Sequence, residues 1–160
     1  DSTGENVRYE EGIYVGYRGY DHLGIKPLFP FGFGLSYTNF QYSNLRVEPG
    51  DSADPCNARV SFDIRNTGQT AGAEIAELYV GAIQPKVERP LKELKGFTKV
   101  LLQPGESKRV ALSLDQRSFA YFDSDTLRWK TDPGTYEISV GGSSDDLPLR
   151  QNFVITDVSQ

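Results

Sequence analysis

The strongest constraint on the fold is a period-two alternation of apolar and polar residues that recurs from Thr38 onward. Arg59–Asn66 carries it most cleanly: Val60, Phe62 and Ile64 fall on one side of an extended chain, Ser61, Asp63 and Arg65 on the other. A helix would scatter these residues around its circumference, so the pattern demands a strand with one face in a core. Comparable runs lie at Phe40–Val47, Ile75–Gly81, Leu94–Leu102, Ser107–Leu114, Phe119–Asp123, Leu127–Lys130, Thr135–Gly141 and Leu149–Asp157. Their inward sets include Ala76, Leu78 and Val80; Val110, Leu112 and Leu114; Tyr136, Ile138 and Val140; and Phe153 with Ile155. Turn-formers separate them, as in Glu48-Pro49-Gly50-Asp51, Asn66-Thr-Gly68, Gln103-Pro104-Gly105-Glu106 and Asp132-Pro-Gly134.

Strands roughly 8–12 residues apart, with no segment of sustained helical periodicity, predict an all-β fold. Residues 39–157 are expected to form an antiparallel β-sandwich of about seven strands, of the immunoglobulin or fibronectin type III kind. The content of 16 Gly, 9 Pro, 9 Tyr and 9 Phe agrees with that class rather than with a helical bundle.

The N-terminal quarter reads differently. Residues 1–8 are polar and turn-rich. Ile13, Val15 and Tyr17 alternate with Tyr14 and Gly16, which predicts a short strand apolar on both faces. Such a strand is normally covered on both sides, and nothing adjacent in the chain offers a second sheet. Pro27-Leu-Phe-Pro-Phe-Gly-Phe-Gly-Leu-Ser-Tyr-Thr38 then sets Phe29, Phe31, Phe33 and Tyr37 among two prolines and two glycines. This run is too aromatic for a solvated linker and too broken for a helix. Its rings are expected to be gripped from more than one side.

Charge and rare residues exclude several function classes. The formal net charge is −5 and no Lys/Arg cluster forms a basic face, so no nucleic-acid partner is expected. No apolar run is long enough to span a bilayer, and no signal peptide opens the chain. Cys56 is the only cysteine, which removes internal disulfides and cysteine-based metal sites; it is expected to be a half-buried packing residue. Methionine is absent even at position 1, so the chain is expected to be a processed or excised piece of a longer protein.

Catalytic candidates are weak. His22, the sole histidine, lies in a Gly-rich region without a nucleophile motif and reads as a surface or hydrogen-bonding residue. Glu10 and Glu11 would point to opposite faces of an extended chain. Asp123-Ser-Asp125 lacks the continuation of a calcium loop and reads as an Asp-rich turn, and Asp145-Asp146 lies in a loop. Gly32-Phe-Gly34 lacks the third glycine and following helix of a dinucleotide site. Trp129 offers either a core side chain or a platform for a pyranose ring, and core packing is the reading preferred. No catalytic residue, metal site or cofactor is expected.

The motifs add a resemblance. Glu11-Gly-Ile-Tyr-Val-Gly-Tyr-Arg18, Tyr20-Asp21 and Pro27 to Tyr37 look like the end of the second domain and the linker of glycoside hydrolase family 3, the multi-domain β-glucosidases and β-xylosidases. Val60-Ser-Phe-Asp-Ile-Arg-Asn-Thr-Gly68, Ala73-Glu-Ile-Ala-Glu-Leu-Tyr-Val80, Pro90-Leu-Lys-Glu-Leu-Lys-Gly-Phe97, Leu102-Gln-Pro-Gly-Glu106, Pro133-Gly-Thr-Tyr136 and Val140-Gly-Gly-Ser-Ser144 resemble their C-terminal fibronectin type III-like domain. The sequence departs from the family at Gly19, where an aromatic is frequent, and at Phe33, where His or Tyr is.

The resemblance implies a retaining hydrolase of terminal β-D-glucosyl residues whose Asp nucleophile and Glu acid/base both lie upstream, so neither is carried by this chain. It implies residues 1–26 as the tail of a preceding α/β domain, 27–38 as linker, and the catalytic domains as partner, with a β-linked oligosaccharide bound by the parent enzyme. Ile13, Tyr14, Val15, Tyr17, Arg18, Phe29, Phe31 and Phe33 are the expected interface with those domains. β-Xylosides are the alternative substrate, and an isolated polysaccharide- or surface-binding module is the alternative function. A secreted or periplasmic location follows from the resemblance.

Overall fold

The computed structural model describes residues 2–3, 6–7, 10–50 and 56–156, with side chains from residue 10 onward. In chain order, β1 (Ser2–Thr3) pairs with β2 (Asn6–Val7), and α1 (Tyr17–Leu23) follows. The other expectations for residues 1–9 lie outside the described residues, as does Asp157. Then come β3 (Phe40–Pro49), β4 (Ala58–Asn66), β5 (Gly72–Ala82), β6 (Glu93–Leu102), β7 (Ser107–Leu114), α2 (Gln116–Phe119), β8 (Tyr121–Asp123), β9 (Arg128–Lys130), β10 (Gly134–Gly141) and β11 (Leu149–Ile155).

Seven of these strands make the sandwich: a four-stranded sheet ordered β11-β10-β5-β6 faces a three-stranded sheet ordered β3-β4-β7. Every pairing is antiparallel. The chain changes sheet between β4 and β5, returns between β6 and β7, and crosses again before β10, so neither sheet can form without the other. The all-β sandwich expected from the alternation is the fold observed.

The core is the inward half of each alternating run. Val60, Phe62 and Ile64 from β4 meet Ala76, Leu78 and Val80 from β5, and Tyr136, Ile138, Val140, Phe153 and Ile155 close the far side. Phe119 fills the end of the core, edge-on to Tyr136 at 5.1 Å and stacked on Phe153 at 5.6 Å. It belongs to α2 rather than to the strand expected over Phe119–Asp123. Asp115 accepts from the Ser118 N–H at 2.9 Å and starts that short helix. Cys56 was expected to be half-buried and is fully buried in the same core.

One polar residue is fully enclosed at the end of the sandwich. Asn66, the last residue of β4, accepts from the Thr38 hydroxyl at 2.5 Å and from the Gly68 N–H at 3.0 Å. Its amide nitrogen donates to the carbonyls of Thr70 at 2.8 Å and Leu102 at 3.1 Å. Its backbone N–H donates to the Glu106 carbonyl, and its carbonyl accepts from Gly105. Asn66 therefore joins the entry of β3, the β4–β5 turn, the end of β6 and the β6–β7 turn. Asn66→Ala would strand these donors and acceptors in a dry site, at a cost of about 2–4 kcal/mol. Urea unfolding of the variant should show a lowered midpoint, and Asn66→Asp, which keeps the acceptors but loses the donors, should not restore it.

Candidate functional site

Inward alternation on β5 leaves Ile75, Glu77 and Tyr79 on the outer face of the four-stranded sheet. Register places Phe97 beside Glu77, and Lys99 beside Ile75. An outer face is normally solvated, yet Glu77 and Tyr79 are buried. What covers them is the N-terminal segment.

That segment is not the strand expected over Ile13–Tyr17. A turn closes with the Tyr14 N–H on the Glu11 carbonyl, and α1 begins at Tyr17. Gly12 (φ +57°) and Gly16 (φ +66°) adopt left-handed backbone that an extended strand does not contain. Gly24 at φ +62° ends the helix in the same way. His22 lies on this helix, its ring stacked on Tyr14 at 3.9 Å, rather than in a turn.

Three of the eight expected interface residues bind this chain's own sandwich through their side chains. The Tyr14 hydroxyl donates to Glu88 at 2.9 Å. The Tyr17 hydroxyl accepts from the Leu94 N–H at 2.9 Å, and its ring stands edge-on to Tyr79 at 5.7 Å. Arg18 pairs with Glu93 at 3.2 Å, and Asp21 with Lys92 at 2.5 Å. Helix α1 is thus clamped to β6 and the loop before it.

Ile13, Val15, Phe29, Phe31 and Phe33 are exposed instead. Phe31 touches Tyr17 at 5.5 Å and Phe29 touches Phe33 at 5.2 Å, yet Phe31 and Phe33 remain 50% and 48% accessible. Within this chain the rings are held from one side only. Leu28, Leu35 and Tyr37 project further still. Ile75, Phe97 and Leu101 of the sheet are also exposed and extend this apolar face beyond the linker. The last three escaped sequence reasoning, although β5 and β6 each carry apolar residues on both faces, which is the available signal.

Two further contacts hold the middle of the linker against the sandwich. The Phe31 carbonyl accepts from the Ser144 N–H at 2.8 Å. Gly32, at φ +82°, lies directly on the Glu77 carboxylate, where a β-carbon would overlap the carboxylate oxygens. The Tyr79 hydroxyl donates to that carboxylate at 2.6 Å, and the Tyr42 hydroxyl donates to Glu74 at 2.7 Å. Burial pushes both carboxyls above their ordinary range, and the tyrosine hydrogen bonds oppose the shift only in part.

Other candidates are placed elsewhere. The Asp123 carboxylate accepts from the Asp125 N–H at 2.9 Å and pairs with Lys130, so the acidic stretch is a turn, as expected. These contacts hold the Asp123 carboxyl at about 2. Trp129 was expected in the core and is 49% accessible; it pairs across β8–β9 with Phe122, ring to ring at 5.5 Å. Among the described residues no group of three His, Cys, Asp or Glu side chains is arranged to hold a metal. No helix among them is long and apolar enough to cross a membrane.

The class defined by the geometry is a two-sheet antiparallel sandwich with an apolar outer face. Residues 74–144 match the model of the fibronectin type III-like domain. With the segment before it, the chain matches the C-terminal part of family 3 β-glucosidases. It is 48% identical over 148 residues to thermostable β-glucosidase B of Acetivibrio thermocellus, covering 92% of this chain and 20% of that protein. It is 45% identical to probable β-glucosidase H of Emericella nidulans, covering 96% and 19%. Among solved structures, β-glucosidase 3B of Thermotoga neapolitana with glucose superposes with TM-score 0.84 at 44% identity, covering 93% of this chain and 20% of that one. The Kluyveromyces marxianus β-glucosidase with glucose gives TM-score 0.87 at 42% identity, covering 93% and 18%. The chain thus spans about a fifth of the length of these relatives.

Two outcomes follow from the Glu77 contact. Gly32→Ala should release the linker at a cost of about 1–2 kcal/mol, seen as faster proteolysis within residues 27–36 while the sandwich unfolds as before. Glu77 holds its proton more tightly when folded than an unfolded glutamate, which titrates near about 4.3, so ionisation opposes folding. Its contribution to stability is therefore best below that pH and declines as pH rises through the window above it. Glu77→Gln, which keeps an acceptor for Tyr79, should gain stability over the parent as pH is raised from about 4 to 7 in thermal unfolding.

Proposed function

We propose that this chain is the C-terminal structural portion of a retaining β-glucosidase that releases terminal non-reducing β-D-glucosyl residues. It carries none of the catalytic groups. Its role is to buttress the catalytic domains, which lie in the four-fifths of the relatives that the chain does not span. The observation that supports this reading is the apolar face of Phe29, Phe31, Phe33, Ile75, Phe97 and Leu101, exposed on a sandwich whose own core is complete. Covering such rings is worth roughly 25 cal/mol per Å² of apolar surface, enough to hold two domains together without a covalent cross-link.

In this reading residues 1–26 are the tail of the preceding α/β domain, residues 27–38 the linker, and residues 39–157 the buttress. Tyr14, Tyr17 and Arg18 orient α1 on the sandwich, leaving Val15 for the catalytic body. The names of the matched relatives favour β-glucosides over β-xylosides. The parent enzyme acts outside the cytoplasm, on β-linked oligosaccharides.

A chimera tests this: the Acetivibrio thermocellus enzyme with its matching C-terminal stretch replaced by this chain. It should hydrolyse an aryl β-glucoside, whereas this chain alone should give no turnover. Phe31→Asp with Phe33→Asp should lower both the melting temperature and the activity of the chimera. Turnover by the isolated chain, or a chimera indifferent to the two substitutions, would refute the proposal.

A further inference from the structure

A second surface shares no residue with the apolar face. The hairpin β8–β9 stands beside the turn at Ile13 and the loop around Val87–Pro90, and a groove of about 520 Å³ runs between them. One wall carries the cross-strand pair Phe122 and Trp129, both about half exposed, with Tyr121 at its base. The facing wall is Ile13, Val87 and Pro90.

The groove is firmly built. Arg89, almost fully buried, supports its floor by donating to the carbonyls of Phe119 at 3.0 Å and Ala120 at 3.3 Å, and it pairs with Glu93 at 3.5 Å. Asp123 and Lys130 lock the hairpin. The Arg117 guanidinium lies 3.1 Å over the Trp129 ring, covering one of its two faces and fixing its orientation. An aromatic pair held this way loses little side-chain freedom when a ligand arrives.

Polar capacity at the rim is unspent. The Trp129 indole N–H, the Ser124 hydroxyl and the Asp125 carboxylate make no hydrogen bond to another described residue, and Glu88 uses only Oε1, toward Tyr14. Ring faces beside free donors and acceptors match a pyranose, which presents axial C–H groups on its faces and hydroxyls around its edge. Neither a purely apolar peptide nor a polyanion fits: the rim is polar, and Glu88, Asp123 and Asp125 are acidic.

We propose that this groove is a non-catalytic binding site for a β-linked oligosaccharide, with Phe122 and Trp129 as the stacking platform and Ser124, Asp125 and Glu88 as hydroxyl partners. It gives the parent enzyme a second hold on chains longer than the one cleaved residue. The choice of β-linkage rests on the β-glucosidase reading; the sugar platform itself rests on the groove.

Trp129 is the only tryptophan, so fluorescence excited at wavelengths beyond the absorption of the nine tyrosines reports on this groove alone. Titration with cellotetraose or laminaritetraose should change its emission with half-saturation on the order of 1 mM. Phe122→Ala and Asp125→Asn, both at exposed positions, should each weaken binding about fivefold or more while thermal unfolding stays near the parent's. Unchanged emission with both sugars up to about 20 mM, or binding unaffected by either substitution, overturns the proposal. Equal response to maltotetraose overturns the β-linkage. The readout needs no turnover, so it can fail while the chimera is active, and succeed while the chimera is not.

Discussion

The sandwich depends on the buried amide of Asn66. Two sheets facing each other are held by apolar contact, which is non-directional and tolerates sliding. A side chain that donates to the Leu102 carbonyl of one sheet from the last residue of a strand in the other removes that freedom. Because the same amide accepts from Thr38, it also sets where the aromatic linker enters β3. An amide in a dry site must meet its donors and acceptors together, so it works as a specificity device more than as a source of net stability. Turn, sheet spacing and linker entry are thereby decided at one residue.

From that entry point the linker runs back over the outer face of the four-stranded sheet, and there the structure departs from a self-contained domain. Burying Glu77 and Tyr79 beneath Gly32 and Tyr17 removes polar groups from water for a modest return in contact. The same placement displays Phe29, Phe31 and Phe33 on the opposite side, where this chain offers them nothing. The arrangement is sensible for a piece whose outer face belongs to an interface. In the proposed reading, the helix α1, clamped through Arg18, Asp21 and Tyr17, gives the interface a defined shape rather than a loose tail.

Where sequence reasoning failed, it failed for identifiable reasons. Ile13, Val15 and Tyr17 alternate like a strand, yet three alternating residues between glycines satisfy a turn and the start of a helix equally well. Gly12 and Gly16 use left-handed backbone that only their torsion angles disclose. Phe119 looked like the start of a strand because its apolar neighbours are contiguous, but the Asp115 cap, with Ser118 three residues on, makes a single helical turn that drives the ring into the core. Trp129 reads as core because it sits between two strand signals in a fold that commonly buries one Trp, whereas its strand pairs only with β8 and never joins the sandwich. Pairing partners, not residue type, decided its exposure.

The sequence by itself determined the strands and their inward faces, because period-two alternation forces each run to bury one side: Val60, Phe62 and Ile64 are inside for that reason alone. It also carried the long ordered motifs by which the chain's relatives were recognised. Only the tertiary structure decided which outward residues become surface and which become a site. Ile75, Phe97 and Leu101 join the linker phenylalanines because register brings β5 and β6 side by side. Phe122 and Trp129 form a platform because a hairpin places them across from each other. These are relations between residues distant in sequence, and no local pattern encodes them.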